Sequence, residues 1–209
     1  RPEVLVAHLG MSGQFKIQSA KDEREPHLRA CFTLSNGKEL RFVDQRTFGW
    51  LAVDQLANDV PKLVSHIALD PFDSRFDKRA TVSRISKSRA QIKKVILDQS
   101  IVSGIGNIYA DEALWRARIH PESIAAELTS TQILNVLTAA QKVMERALAA
   151  GGTSFDDLYI NVNGESGYFE RSLAVYGREG EPCRRCGSEI ERIAFANRSS
   201  RLCPTCQTR

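Results

Sequence analysis

The first seventy positions carry short apolar runs and segments that alternate with a period of two, and beyond about position 90 the period lengthens to three and four. Val4 to Leu9 is an apolar run, Gln14 to Gln18 alternates, and Ala30, Phe32 and Leu34 fall on one face. Leu40 and Phe42 resume that face after Asn36-Gly37, a pair that tolerates positive φ and closes hairpins. This part is expected to form an antiparallel sheet or half of a sandwich. Asp70 to Asp77, DPFDSRFD, reads as a linker. Ile92, Val95 and Ile96 then take helical spacing, and a short helix is predicted from about Asn107 to Ala117 with Ala110, Ala113, Leu114 and Ala117 on one side. The clearest helix runs from Ser130 to Ala150, with Ile133, Val136, Leu137, Ala140, Met144, Ala147 and Leu148 as an apolar stripe expected in the core. Thr129 and Gln132 form a capping box at its start, and Gly151-Gly152 stop it.

Composition narrows the class. The 209 residues are 42% hydrophobic and 26% charged, which is a globular balance and not a disordered one. No apolar run approaches bilayer-spanning length, so no membrane role is expected. Five cysteines without a basic-then-apolar leader argue against a secreted disulfide scaffold and for a reducing cytoplasm. The net charge of +4 is modest, but it is unevenly placed. Lys78, Arg79, Arg84, Lys87, Arg89, Lys93 and Lys94 follow one another without an acid, and six arginines face two glutamates from Cys183 onward. One such run is usually a solvated face; two suggest a polyanion partner, nucleic acid first.

The cysteines sharpen this. Cys183-x2-Cys186 and Cys203-x2-Cys206, sixteen residues apart, have the spacing of a four-thiolate zinc site. Four sulfur ligands leave no open position, so a single zinc ion there is structural and holds the intervening hairpin rigid. Asn197-Arg198-Ser199-Ser200-Arg201, near the hairpin tip, offers groups suited to phosphate oxygens. Cys31 is expected to be a small buried residue of a strand.

Three further stretches have chemical potential. In Ser103-Gly104-Ile105-Gly106-Asn107, glycines and the following helix start suit phosphate, although a tight turn explains the pattern equally well. In His8-Leu9-Gly10-Met11-Ser12-Gly13, a methionine between glycines is oddly placed for a core and suits an apolar wedge. In Asp44-Gln45-Arg46-Thr47-Phe48-Gly49, an arginine and a phenylalanine two apart could enter a duplex in place of an extruded base.

HLGMSG, the SNGK hairpin, DQRTFG, GIGNIYADEALW, IHP, GYF, VYGREGEPC and the four-cysteine finger, in this order, resemble the bacterial formamidopyrimidine-DNA glycosylase family over essentially the whole chain. The resemblance implies an α+β protein: an N-terminal antiparallel β-sandwich lobe (residues 1–70, partial), a linker (71–85), a helix–two-turns–helix DNA-binding domain (86–180) and a zinc finger (181–209), with DNA in the cleft. It implies base-excision repair of oxidised purines such as 8-oxoguanine and formamidopyrimidines, with abasic-site lyase activity. The partner is double-stranded DNA carrying oxidised bases or abasic sites, and the protein is expected to be a monomer associated with the bacterial nucleoid. By the same resemblance Met11, Arg46 and Phe48 fill the gap left by the flipped nucleotide. His27, Arg89, Lys93 and Asn107 contact the DNA, and Arg198 grips phosphates and donates a proton in the final elimination. The loop with Gly164, Gly167 and Tyr168 closes over the extruded base.

One departure stands against these matches. The family opens with a proline whose free amine attacks the sugar, followed by a glutamate. Here Arg1 precedes Pro2-Glu3, and HLGMSG follows five residues later, so the expected chain lacks the first part of its lobe and that nucleophile. Three alternatives stay open: a shortened homologue that binds damage without excising it, an endonuclease VIII-like enzyme for oxidised pyrimidines, and a zinc-ribbon interaction module with no DNA role.

Overall fold

The computed structural model describes residues 2–57, 59–151 and 172–209. The described residues up to Ser65 belong to one compact unit, and those of His66–Ala149 and 172–209 to a second.

The first unit is antiparallel sheet. Strands β1 (Glu3–His8), β5 (Trp50–Ala57) and β6 (Val60–Pro61) form one three-stranded sheet, ordered β1-β5-β6. Strands β2 (Gly13–Ser19), β3 (Leu28–Thr33) and β4 (Lys38–Asp44) form a second, ordered β2-β4-β3. The predicted hairpin closes at Gly37, whose φ of 76° only glycine adopts freely, and Leu34 N–H donates to Lys38 O at 2.8 Å. Ala30 and Phe32 turn to the inner face of β3, so period two carries Cys31 to the outer face. Cys31 is exposed; the expected burial fails because strand membership alone does not choose a face.

The second unit is helical with a zinc-finger-type hairpin. Helices α1 (Lys78–Ile85), α2 (Ile92–Ile96), α3 (Asn107–Ala117) and α4 (Ser130–Ala149) bury one apolar cluster that includes Val82, Ile85, Ile96, Ile105, Leu114, Ile133 and Leu137. The stretch expected as a linker, 71–85, carries tight turns and α1, which Asp77 caps by accepting from Ala80 N–H at 2.9 Å. The capping box at α4 is reciprocal: Thr129 N–H reaches Gln132 Oε1 at 2.8 Å, and Gln132 N–H reaches Thr129 Oγ1 at 3.2 Å. The α4 stripe is buried as expected except Leu148, which is 69% exposed in the last turn, beyond the reach of the cluster. Strands β7 (Glu191–Phe195) and β8 (Arg198–Leu202) make the final two-stranded ribbon.

Candidate nucleic-acid interface

In the first unit the turns at 8–13 and 44–50 are built against each other. Gly10 has φ +63°, and a Cβ there would lie 2.7 Å from the carbonyl carbon of Phe48, so only glycine permits this approach. At Gly49 a Cβ would lie 2.7 Å from the Phe42 ring and 2.9 Å from His8 O. His8 and Trp50 stack with ring centroids 5.7 Å apart, joining the two turns at their outer ends. Met11 and Phe48, 54% and 59% exposed, and the exposed Arg46 project from this platform. Such exposure of large apolar side chains on tight turns suits insertion into another molecule.

Beneath them lies a polar pair that the sequence reading missed. Ser12 Oγ donates to Asp44 Oδ1 at 2.5 Å, Arg46 N–H donates to Ser12 Oγ at 3.0 Å, and Gly49 N–H donates to Asp44 Oδ2 at 2.8 Å. The Ser12 hydroxyl, and then the amides of Gly49, Arg46 and Thr47, hold the Asp44 carboxyl below its ordinary range against the opposing effect of burial.

His27 is exposed, with φ 68°, and its carbonyl accepts from Asp44 N–H at 3.0 Å. The loop leading to it is held by Arg41, which is fully buried. Its guanidinium donates to Glu39 at 2.8 Å, to Glu25 at 3.2 Å, and to the carbonyls of Glu23, Asp22 and Ser19 at 2.8, 3.0 and 3.1 Å. Nothing in the local sequence marks Arg41 as more than an alternating strand residue.

In the second unit the ribbon β7–β8 docks on the start of α3. Lys93, at 0% exposure, forms an ion pair with Asp111 at 2.7 Å and donates to Ser199 O at 3.0 Å. Asp111 also accepts from Ser200 Oγ at 2.7 Å and Arg201 N–H at 3.0 Å. Asn107 Nδ2 donates to Ser199 O at 3.3 Å, while its buried Oδ1 has no hydrogen-bond partner. Gly106 precedes α3 without a side chain to cap the first turn, which leaves backbone amides suited to an anion. Arg198, exposed at the ribbon's turn, pairs in register with Phe195.

The next residue of α3 performs a second clamp. The buried Glu112 carboxylate accepts from the amides of Ala174 (2.8 and 2.9 Å), Val175 (2.8 Å) and Tyr176 (3.1 Å). Adjacent acids among Ala110, Ala113 and Leu114 were the available signal for both clamps. Arg89 lies between α1 and α2 with its side chain exposed, its backbone segment pinned by Ala125 N–H to Ala90 O at 3.0 Å and Ala126 N–H to Ser88 O at 2.9 Å. Of the seven-residue basic run, Lys93 is enclosed, Lys78 donates to Gln141 at 2.9 Å and Arg84 to Ser100 O at 2.8 Å, so part of that charge serves internal partners. Gly164, Gly167 and Tyr168 lie outside the described residues.

The four cysteines Cys183, Cys186, Cys203 and Cys206 come together with all sulfurs within 4.8 Å of one another. Cys186 lies 3.4 Å from Cys203 and 3.5 Å from Cys206. A tetrahedral zinc with Zn–S near ~2.3 Å separates its sulfurs by about 3.8 Å, so the set fits that ion. Burial works against ionisation of Cys183, yet the Arg185 amide and the Trp115 indole, each 3.4 Å from its sulfur, help bring its thiol down to about 6. The Arg185 guanidinium lies over the Trp115 ring at 4.1 Å, tying the first cysteine turn to α3.

Comparison with known proteins bears on both units. Residues 1–51 match the formamidopyrimidine-DNA glycosylase N-terminal domain, 67–158 the H2TH domain of the same enzymes, and 180–209 the zinc finger found in FPG and IleRS. The chain is 58% identical to a formamidopyrimidine-DNA glycosylase of Rhodococcus opacus over 97% of its own length and 72% of the relative's. It is 56% identical to one of Nocardia farcinica, over 98% and 71%. Among solved structures it resembles Lactococcus lactis Fpg in complex with abasic-site DNA (TM-score 0.85, 31% identity, 99% of this chain and 76% of that one). It also resembles MutM (FPG) of Thermus thermophilus (TM-score 0.86, 38% identity, 98% and 76%) and MutM bound to carbocyclic 8-oxo-G DNA (TM-score 0.84, 32% identity, 99% and 75%).

Proposed function

The chain belongs to the formamidopyrimidine-DNA glycosylase family, and from that premise we propose that it excises oxidised purines from double-stranded DNA by base flipping and cleaves the strand at the resulting abasic site, the sugar being attacked by an amine that none of the residues assigned below supplies. The observation that carries this reading is the exposed trio Met11, Arg46 and Phe48 on two mutually braced turns. A flipped base leaves a hole in the stack, and an apolar side chain, an aromatic ring and a guanidinium are suited to fill it and to address the orphaned partner.

The other roles follow from placement. His27 and Arg89 expose charge-capable side chains and are assigned to phosphate, as are Asn107 and the amides at the start of α3. Lys93 we assign to holding the ribbon, because its ammonium is enclosed and already paired with Asp111. The ribbon presents Arg198, to which we assign the grip on phosphates beside the flipped base and the proton donated in elimination. Gly164, Gly167 and Tyr168 we assign to covering that base. When bound, zinc would be held by the four thiolates and supply rigidity, since no coordination position is left for water. The site of action is then the nucleoid of a bacterial cytoplasm. Among the described residues no helix is long and apolar enough to cross a membrane.

The test is incubation with a duplex containing one 8-oxoguanine opposite dC, followed by denaturing electrophoresis, with a parallel borohydride reaction. Released 8-oxoguanine, a cut strand and a borohydride-trapped cross-link, which reports an iminium, support the reading. A duplex bound at the lesion but left whole would show damage recognition without excision and contradict it.

A further inference from the structure

We infer that Ser12 and Asp44 are positioning residues that lock Met11, Arg46 and Phe48 into one insertion unit, so that recognition of a damaged site by all three depends on a single buried hydroxyl–carboxylate pair. The inference rests on the DNA reading above.

The three exposed side chains come from two separate turns, each with side-chain hydrogen bonds of its own, and Ser12 and Asp44 link the two. Ser12 follows Met11 directly, and its hydroxyl is the meeting point: it receives the amide of Arg46 at 3.0 Å and gives its own proton to Asp44 at 2.5 Å. The second oxygen of the same carboxylate receives the amide of Gly49, next to Phe48, at 2.8 Å. A path of three hydrogen bonds thus runs from the residue beside Met11 to Arg46 and to the residue beside Phe48. The Gly10 approach to the Phe48 backbone closes the path from the other side. The backbone of Asp44 also meets the neighbouring segment: its amide donates to His27 O at 3.0 Å, and its carbonyl accepts from Arg29 Nε at 2.9 Å.

Burial separates this role from direct recognition. Ser12 is 8% exposed and Asp44 1%, so neither side chain can reach a nucleic acid lying on this surface. A base-pair gap admits an inserting group only at fixed depth and orientation, and small displacements of such groups are expensive in binding. Two turns joined by the carboxylate insert together; without it their ends stay paired at His8–Trp50 and Gly13–Asp44, but ordering their tips falls to the binding step. Asn at position 44 would set an amide N–H against the donors it must accept from, and Ala at position 12 would remove the shared hydroxyl.

The experiment is fluorescence anisotropy at fixed salt with two duplexes, one carrying a tetrahydrofuran abasic analogue opposite dC and one intact. The proteins are the full chain, Ser12→Ala, Asp44→Asn, Phe48→Ala and the double variant Ser12→Ala/Phe48→Ala, each checked for folding by circular dichroism. The inference predicts that S12A and D44N each reduce the preference for the tetrahydrofuran duplex about tenfold, and that S12A costs less in the Phe48→Ala background than in the wild type, because part of its effect runs through that side chain. If D44N does not fold, S12A and its double variant decide. Wild-type preference retained in S12A, or additive losses in the double variant, would overturn the inference and leave the DNA reading standing. A wild-type chain that does not distinguish the two duplexes would overturn both.

Discussion

Lys93 Nζ lies 2.7 Å from Asp111 Oδ1, and neither side chain is exposed to solvent. Burial pushes the lysine's pKa down and the carboxyl's up, while the mutual attraction opposes both shifts. The pair joins α2 to α3, and through Ser199, Ser200 and Arg201 it fixes the strand that begins at Arg198.

Removing one partner should therefore cost more than removing both. Lys93→Met leaves an uncompensated buried carboxylate and is expected to destabilise the protein by ~3–5 kcal/mol, whereas Lys93→Met with Asp111→Leu should recover much of that loss. Urea unfolding of the zinc-loaded proteins checks this; equal or additive losses would contradict it.

Metal removal should act locally. Chelation is expected to release one zinc per chain, expose four titratable thiols and weaken DNA binding, while the cluster around Leu114, Ile133 and Leu137 keeps the helices folded. Zinc release read with a chromogenic chelator, alongside far-ultraviolet circular dichroism, separates the two effects.

Acid should loosen the first unit through Asp44. Its folded pKa lies below the ordinary carboxylate value, so the group contributes stability that is fully present above that ordinary value and is lost as pH falls through the folded one. Asp44→Asn should flatten this acid limb, which a series of thermal midpoints between neutral and strongly acidic pH would show.

Charge at the ribbon turn should matter for binding and not for folding. Arg198 is exposed, so Arg198→Ala is expected to leave the unfolding midpoint in place, weaken duplex affinity and reduce the slope of log K against log salt by about 1. Affinities at four salt concentrations decide the matter.

Legibility in the sequence followed range. Helix α3 and the reciprocal Thr129–Gln132 cap arise from neighbours three or four positions apart, and periodicity found the helix while the Thr-x-x-Gln pattern found the cap. The metal ligands were equally plain, since each pair lies on one turn and the thiolate spacing is restrictive. Met11 stood out as a methionine between glycines and Arg46 and Phe48 as a pair two apart, and the family resemblance joined the three. What supports them did not: Ser12 and Asp44 are 32 positions apart, and Arg41 reaches back to Ser19 across 22. Lys93 read as a DNA contact in a basic run, and its enclosure was not legible because it depends on an acid from α3 and a carbonyl from a strand 106 positions away. Pattern reads a face; it does not read which distant group that face will meet.

The most direct test of the whole account is the salt dependence of binding to a duplex with one tetrahydrofuran site, measured beside the intact duplex. The account predicts tighter binding to the tetrahydrofuran duplex at every salt concentration, with both affinities falling steeply as salt rises. Equal affinities for the two duplexes, or binding indifferent to salt, would contradict it.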